Sequence, residues 1–370
     1  MSFYIQGYTG NHSILSVAKT KAVAEKLASE KYNYIFLSKD CTYININNMR
    51  YDVSVPKFDI DVLAEFDVIE VLENGIADII YQSTSKDNAI VVTMGCNSNC
   101  VMCPCSEKSR KYGFISSIER LSEILKYTPK TAEHITITGG EPCLLKEDMF
   151  KFMAILQREF FNTDFLLLTN GRAFSINEFT YQFIKNKPNK MKVAIPIYGY
   201  NAESHDSITQ TKGSFEQMVK GIHNLLSYKM DIEVRIVISK LNINLMQEIA
   251  DFIVRNFKGI VVVHFMAIEM LGNAAKNSDL VWIPYEDIFD YIRKPIVTII
   301  KAGIDVELYN FPLCTVQQDF WGLCKKSISE YKVKYTEECN KCKVKSLCGG
   351  MFDSTMNFCH FKPKPITAGQ

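Results

Sequence analysis

From residue 88 to residue 265 the chain alternates short apolar runs with amphipathic stretches. The apolar runs cover residues 89–93, 134–138, 165–169, 192–197, 232–238 and 260–265. Near-continuous apolar runs of this length predict strands buried on both faces. Between them, residues 117–127, 146–161, 176–185, 214–228 and 245–257 carry apolar side chains at helical spacing. Ser116 with Glu119, and Ser175 with Glu178, predict capping boxes at two helix starts. Strands separated by helices imply parallel crossovers of one hand, hence an α/β barrel or an open twisted sheet. In either architecture a site forms at the C-terminal strand ends.

The pattern differs on both sides of this repeat. Residues 1–87 read as a small α+β domain. A helix is expected over 16–31, and strands over 34–37, 43–46 and 67–72. The polar stretch 83–87 closes this domain. Past residue 275 the repeat stops. A helix is expected over 285–302, disturbed at Pro295, then a strand over 304–309. The expected division is therefore 1–87, 88–275 and 276–370.

Composition narrows the partners. The 42 basic and 41 acidic side chains leave a formal net charge of +1, which argues against a phosphate-backbone binder and hence against nucleic acid. Long apolar stretches are broken by Lys or Asp well short of a membrane span, so no membrane partner is expected. The N-terminus shows no basic segment followed by an apolar one, so a cytoplasmic location is expected. In a reducing compartment the 12 cysteines are better metal or redox ligands than disulfide partners.

The cysteines fall into two groups. Cys96, Cys100 and Cys103 are spaced C-x3-C-x2-C immediately after the first strand of the repeat. Three thiolates on one tight loop can hold three irons of a 4Fe-4S cluster and leave one iron open to a ligand. Cys105 follows closely and is read as a non-ligand, because a fourth thiolate would block the open iron. The second strand ends in Thr138-Gly139-Gly140-Glu141-Pro142, where the glycines let backbone approach a ligand and Glu141 can accept from an ammonium group. Cys143 beside it is read as packing. The third strand ends in Thr169-Asn170-Gly171. Near the C-terminus, Cys314, Cys324, Cys339, Cys342, Cys348 and Cys359 include the block C-x2-C-x5-C-G-G. That spacing suits either zinc or a second iron–sulfur cluster. Polar residues at the strand ends are Tyr198, His205, Asp206, His264 and Glu269. For His205 and Asp206 a loop hydrogen-bonding role is expected, and for His264 a satisfied core position.

Taken together, C-x3-C-x2-C, Gly-Gly-Glu-Pro and Thr-Asn-Gly at successive strand ends resemble the radical S-adenosylmethionine (SAM) superfamily. Tyr198-Gly199, His205-Asp206 and Gly213-Ser214-Phe215 after the fourth strand fit the same pattern. The resemblance covers residues 88 to about 275 and implies a partial (β/α)6 barrel. It implies that Cys96, Cys100 and Cys103 bind the cluster, and that SAM chelates the open iron. It also implies that Gly139, Gly140, Glu141 and Pro142 form the segment meeting the SAM amino group, with Asn170 near the ribose. Arg235 is a candidate for the SAM carboxylate, the alternative being an exterior salt bridge. Met102 stands where the superfamily often has an aromatic residue near the adenine.

Residues 276–370 resemble the SPASM and twitch extensions of peptide-modifying radical SAM enzymes, without the C-x3-C that usually follows. The extension implies one auxiliary 4Fe-4S cluster on Cys314, Cys339, Cys342 and Cys348, with Cys324 and Cys359 as spare or alternate ligands. Leu308-Tyr309-Asn310-Phe311-Pro312-Leu313-Cys314, Ser327-Ile328-Ser329, the 339–352 block and the strand 233–240 are similar to the C-type maturase of the His-Xaa-Ser peptide system. That similarity implies a ribosomally made precursor peptide as substrate. It also implies an electron donor such as a flavodoxin or ferredoxin, and a second radical SAM maturase as partner. Residues 1–87 would then be a candidate peptide-docking element.

Overall fold

The computed structural model describes residues 2–359 and 361–367. The chain divides into two compact units. The first comprises Met1–Thr93, Ile115–Leu167 and Asn186–Met191, and the second Met94–Phe114, Leu168–Lys185 and Lys192–Gln370.

The first unit opens with a seven-stranded sheet. Its strands are β1 (Ser2–Tyr4), β2 (Ser13–Ala18), β3 (Tyr34–Leu37), β4 (Thr42–Ile46), β5 (Met49–Asp52), β6 (Val68–Val71) and β7 (Ile76–Tyr81). Their order is β1-β7-β6-β2-β3-β4-β5. Only β2 and β3 pair in parallel, and α1 (Lys21–Ser29) makes that crossover. A helix over 16–31 was expected here. Instead all six residues of β2 are buried, and the helix starts after Thr20, whose side chain accepts from the Val23 N–H. The short helix α2 (Lys57–Val62) follows β5. Ile5, Leu15, Val17, Ile35, Ile44 and Ile69 are fully enclosed in this core, each contributing about 1.5–3 kcal/mol by burial.

The chain then runs through β8 (Asn88–Thr93), α3 (Glu107–Tyr112), α4 (Ile118–Tyr127), β9 (His134–Gly139), α5 (Glu147–Glu159), β10 (Asp164–Leu168) and α6 (Asn177–Asn186). It continues with β11 (Met191–Pro196), α7 (Ala202–Thr209), α8 (Ser214–Ser227), β12 (Asp231–Val237), α9 (Met246–Asn256) and β13 (Ile260–Met266). The six expected strands are present within about one residue of their predicted spans. The sheet also continues through β14 (Asp305–Tyr309) and the short β15 (Cys324–Lys325), each parallel to its predecessor. The strand order β8 to β15 is consecutive. A doubly wound sheet reverses its order at a switch point; consecutive parallel strands with helical crossovers make this a partial β/α barrel.

Strands β10 and β11 pass through both units. In the first unit the Phe165 N–H donates to the Lys190 carbonyl, and in the second the Thr169 N–H donates to Ala194. On β12 the side chains alternate sharply. Ile232, Val234 and Ile236 are fully buried, whereas Glu233, Arg235 and Val237 lie on the opposite face.

Two capping expectations shift. Ser117, not Ser116, caps α4 by accepting from the Arg120 N–H, while the Ser116 hydroxyl accepts from the Arg120 guanidinium. Ser175 closes a 3-10 turn (Arg172–Ser175) ahead of α6. The last elements are α10 (Gly272–Lys276), α11 (Ser278–Val281), α12 (Tyr285–Lys301), a paired β16 (Val333–Lys334) and β17 (Met351–Phe352), and α13 (Asp353–Cys359). The expected disturbance at Pro295 does not break α12, because Ile288, Ile292, Ile296 and Ile299 anchor one buried face on both sides of it. Among the described residues no helix is long and apolar enough to cross a membrane.

Candidate active site

The loop after β8 carries Cys96, Cys100 and Cys103, all partly exposed. A loop this tight leaves backbone polar groups that must find partners. Here they find them in three separate elements. The Cys96 N–H donates to the Arg110 carbonyl at 3.0 Å, the Asn99 N–H to Thr209 and the Val101 N–H to Ile208. From α10, the Asn273 N–H reaches the Cys103 carbonyl at 2.9 Å and its side-chain amide the Cys100 carbonyl at 3.1 Å. The Asn277 amide reaches the Val101 carbonyl at 2.9 Å. Gly272 makes this approach possible: a Cβ there would stand 2.3 Å from the Pro104 carbonyl oxygen. Met102 is 3% exposed and packs with Ile208, Ile268 and Met270 under the loop.

The thiols of the loop act on one another. Burial first, then the charges of Cys103 and Cys96, push Cys100 up to about 12. A hydrogen bond with Cys105 holds Cys103 below the ordinary thiol range and raises Cys105. Tyr198, which packs against the cluster of Met102 and Ile208, is raised well above its usual value by burial and then by all three loop thiols. Among the described residues no three His, Cys, Asp or Glu side chains meet closely enough for a single metal ion. The soft, mutually repelling thiols suit a centre that brings several positive charges and spreads its ligands around a larger body, as an iron–sulfur cluster does.

Within the first unit, the Gly139-Gly140-Glu141-Pro142 segment closes onto the end of β8. Gly139 has φ +143°, and a Cβ there would lie 1.9 Å from the Thr93 carbonyl oxygen. The Gly140 N–H donates to that same oxygen at 2.8 Å. Glu141 is 1% exposed and its carboxylate accepts from the Cys143 N–H at 3.0 Å, capping the turn Pro142–Leu145. Cys143 is buried there.

Within the second unit, Asn170 donates to the Asn97 side chain at 2.7 Å and accepts from the Arg172 N–H. Arg172, which no motif singled out, donates to the Asn97 carbonyl at 2.6 Å, to the Ser98 hydroxyl and to Gln217. Asp206 caps α8, accepting from the Gly213 and Phe215 N–H groups and the Ser214 hydroxyl. Burial opposes its ionisation, yet these bonds hold it below the usual carboxylate range. His205 accepts from the Tyr198 N–H, and burial pushes it down to about 4, so it is neutral.

Arg235 sits in a charged row across four strands. Its Nε lies 2.6 Å from Glu233 Oε1, which lies 3.0 Å from His264 Nδ1. His264 Nε2 lies 3.1 Å from Glu307, whose other oxygen faces Lys325 at 3.3 Å. His264 is 3% exposed and stacks on Tyr309 with ring centres 4.2 Å apart. Burial raises the Glu233 pKa, but His264 and Arg235 outweigh it and bring it to about 2. The Glu233 contact engages Arg235 Nε. Glu269 pairs with Lys332 at 3.2 Å.

The C-terminal cysteines come together. Cys314, Cys339, Cys342 and Cys348 line one small cavity, a set that omits Cys324. Cys348 Sγ accepts from the Leu313 and Gly350 N–H groups, both at 3.4 Å. Such N–H···S bonds stabilise thiolate ligands. Burial, with Cys348 and Cys339 nearby, pushes Cys314 up to about 11. The Cys324 thiol approaches the Phe320 carbonyl oxygen at 4.0 Å. The side chain of Cys359 lies outside the described residues.

The Radical SAM superfamily pattern matches residues 90–253. An AdoMet-dependent heme synthase of Methanosarcina barkeri (strain Fusaro / DSM 804) is 26% identical over 208 residues, covering 54% of this chain and 55% of that one. A heme synthase of Nitratidesulfovibrio vulgaris (strain Hildenborough) is 25% identical over 215 residues, covering 56% and 55%. The chain thus spans about half the length of the curated relatives it matches. Among solved structures, native anSMEcpe with bound AdoMet aligns with a TM-score of 0.54 and 16% identity, over 75% of this chain and 92% of that one. Streptococcus suis SuiB aligns with a TM-score of 0.50 and 12% identity, over 70% and 56%. At those identities the likeness is one of fold. The chain carries a Radical SAM superfamily domain over residues 90–253, an enzyme domain whose cofactors are a 4Fe-4S cluster and S-adenosylmethionine.

Proposed function

We propose that this chain is a radical SAM maturase that crosslinks or oxidises a ribosomally made precursor peptide, of the His-Xaa-Ser type. The observation that carries the reading is the pair of cysteine sets. Cys96, Cys100 and Cys103 sit on one clamped loop, and Cys314, Cys339, Cys342 and Cys348 line a separate cavity. The first set leaves one iron open for SAM; the second can close a complete auxiliary 4Fe-4S cluster that takes an electron from the product. Zinc in the second cavity is the competing assignment. When bound, the reduced loop cluster and SAM supply a 5′-deoxyadenosyl radical that removes a hydrogen atom from the substrate.

This chain's residues bind and orient. In the reading, Gly139, Gly140, Glu141 and Pro142 receive the SAM amino group, Asn170 lies near the ribose, and Met102 near the adenine. Arg235 takes the SAM carboxylate through its terminal nitrogens. Residues 1–87, 88–275 and 276–370 serve as docking element, catalytic barrel and auxiliary-cluster extension. A flavodoxin or ferredoxin supplies the electron, a second radical SAM maturase acts on the same peptide, and all of this takes place in the cytoplasm.

A second reading rests on the relatives. They are named AdoMet-dependent heme synthases, which places a tetrapyrrole, a small metabolite, among the candidate substrates. Anaerobic incubation with dithionite, SAM and either a His-Xaa-Ser peptide or a heme-precursor tetrapyrrole, with and without iron, decides between them. A mass change confined to the peptide supports the first reading. A change confined to the tetrapyrrole replaces it with the second.

A further inference from the structure

Arg110 is the buried cation of the cluster loop. It lies on α3, a single short helix that returns the chain under the cysteines, and it is 4% exposed. Its backbone carbonyl accepts from the Cys96 N–H. Its guanidinium donates through one terminal nitrogen to the Cys105 carbonyl at 2.5 Å and through the other to the Asn99 side-chain oxygen. Both acceptors are neutral, so those bonds leave the charge uncancelled. The Nε is buried and has no hydrogen-bond partner.

A guanidinium does not lose its proton in proteins, so this positive charge is fixed. Reducing a cluster adds one electron to a body that its thiolates have already made negative. A buried cation stabilises the reduced form more than the oxidised form, and hydrogen bonds to the sulfurs act the same way. We propose that Arg110 is a positioning residue that raises the reduction potential of the loop cluster by holding a fixed, buried charge inside the loop that carries Cys96, Cys100 and Cys103. The inference rests on the assignment of Cys96, Cys100 and Cys103 as cluster ligands.

A purely structural Arg110 would only tie Cys105 and Asn99 in place, and the potential would not depend on its charge. The test is a potentiometric titration, followed by electron paramagnetic resonance, of the anaerobically reconstituted full-length protein. The signal followed is the one that changes when SAM is added. Arg110→Gln is expected to make the cluster at least tenfold harder to reduce at a given potential, a downward midpoint shift of ~59 mV for a one-electron couple. Arg110→Lys, which keeps the charge, is expected to shift less than half as far. A wild-type midpoint in Arg110→Gln overturns the proposal. So does a Lys variant that shifts as far as Gln, or a Gln variant that assembles no SAM-responsive cluster. A wild-type protein with no SAM-responsive signal would instead overturn the ligand assignment of the three cysteines.

Discussion

The backbone N–H of Asn273 donates to the carbonyl of Cys103 over 2.9 Å, while the same residue's side chain holds the carbonyl of Cys100. Residues about 170 positions apart in the chain thus fix the spacing of two adjacent thiols. Removing the amide leaves the Cys100 carbonyl without that donor. Asn273→Ala should therefore cost about 1–2 kcal/mol in denaturant unfolding. It should also lower the iron retained after anaerobic gel filtration. Full iron retention at unchanged stability would remove Asn273 from this role.

Gly139 is constrained by close approach and by its backbone angle at once. With φ +143° and a Cβ position 1.9 Å from the Thr93 oxygen, any side chain must displace β8 or β9. Gly139→Ala should lower stability by on the order of 3 kcal/mol, read as a fall in urea midpoint at unchanged slope. Gly213 also has positive φ, but no atom lies near its Cβ position. Gly213→Ala should cost less, about 1 kcal/mol.

The strands of the barrel were legible because each is a short apolar run with one fully buried face; the expected burial of the second face is not met, since that face is only partly covered on β9 and β10 and Val91 on β8 is 38% exposed. Residues 165–169 and 260–265 reappear almost unchanged as β10 and β13. The N-terminal sheet was harder to read. Ser13–Ala18 lies just ahead of a true helix, and its Ser, Val and Ala residues continued the helical pattern until Thr20 capped it. The thiol spacing and Gly-Gly-Glu-Pro also showed in the sequence, since both are local. The clamps did not. Arg110, Arg172, Asn273 and Asn277 belong to no motif, and their importance comes from neighbours brought near by folding. β15 was missed because two residues carry no periodicity.

Acid should weaken the charged row on β12–β15. Glu233 ionises at about 2, below its ordinary value of 4.5, because His264 and Arg235 hold its charged form. A carboxylate depressed in the folded state stabilises the fold above the unfolded pKa. That contribution is lost as pH falls through the folded value. The stability difference between wild type and Glu233→Gln should be on the order of 3 kcal/mol at pH 6 and should shrink steadily between about pH 4.5 and pH 2. A difference that is independent of pH across this window would show that Glu233 acts by packing rather than by charge.

The two cysteine sets predict separable metal content. Wild-type protein reconstituted without oxygen should carry about eight irons per chain. The double variant Cys339→Ser, Cys342→Ser should carry about four, with its SAM-responsive signal intact. Cys324→Ala should leave the iron content at the wild-type value, because Cys324 stands outside the lining of the shared cavity. Zinc in the C-terminal cavity, with about four irons in the wild type, would replace the auxiliary cluster by a structural ion.

The central claim is that the Cys96–Cys103 loop splits SAM and spends the resulting radical on a peptide. Reduced protein should be incubated anaerobically with SAM, with and without a His-Xaa-Ser precursor peptide, and both products followed by mass spectrometry. The account predicts 5′-deoxyadenosine that rises with peptide, a peptide lighter by the hydrogens removed, and neither product from the Cys96→Ala, Cys100→Ala, Cys103→Ala variant. Iron-loaded wild-type protein that forms no 5′-deoxyadenosine, or forms it while the peptide mass stays unchanged, would contradict it.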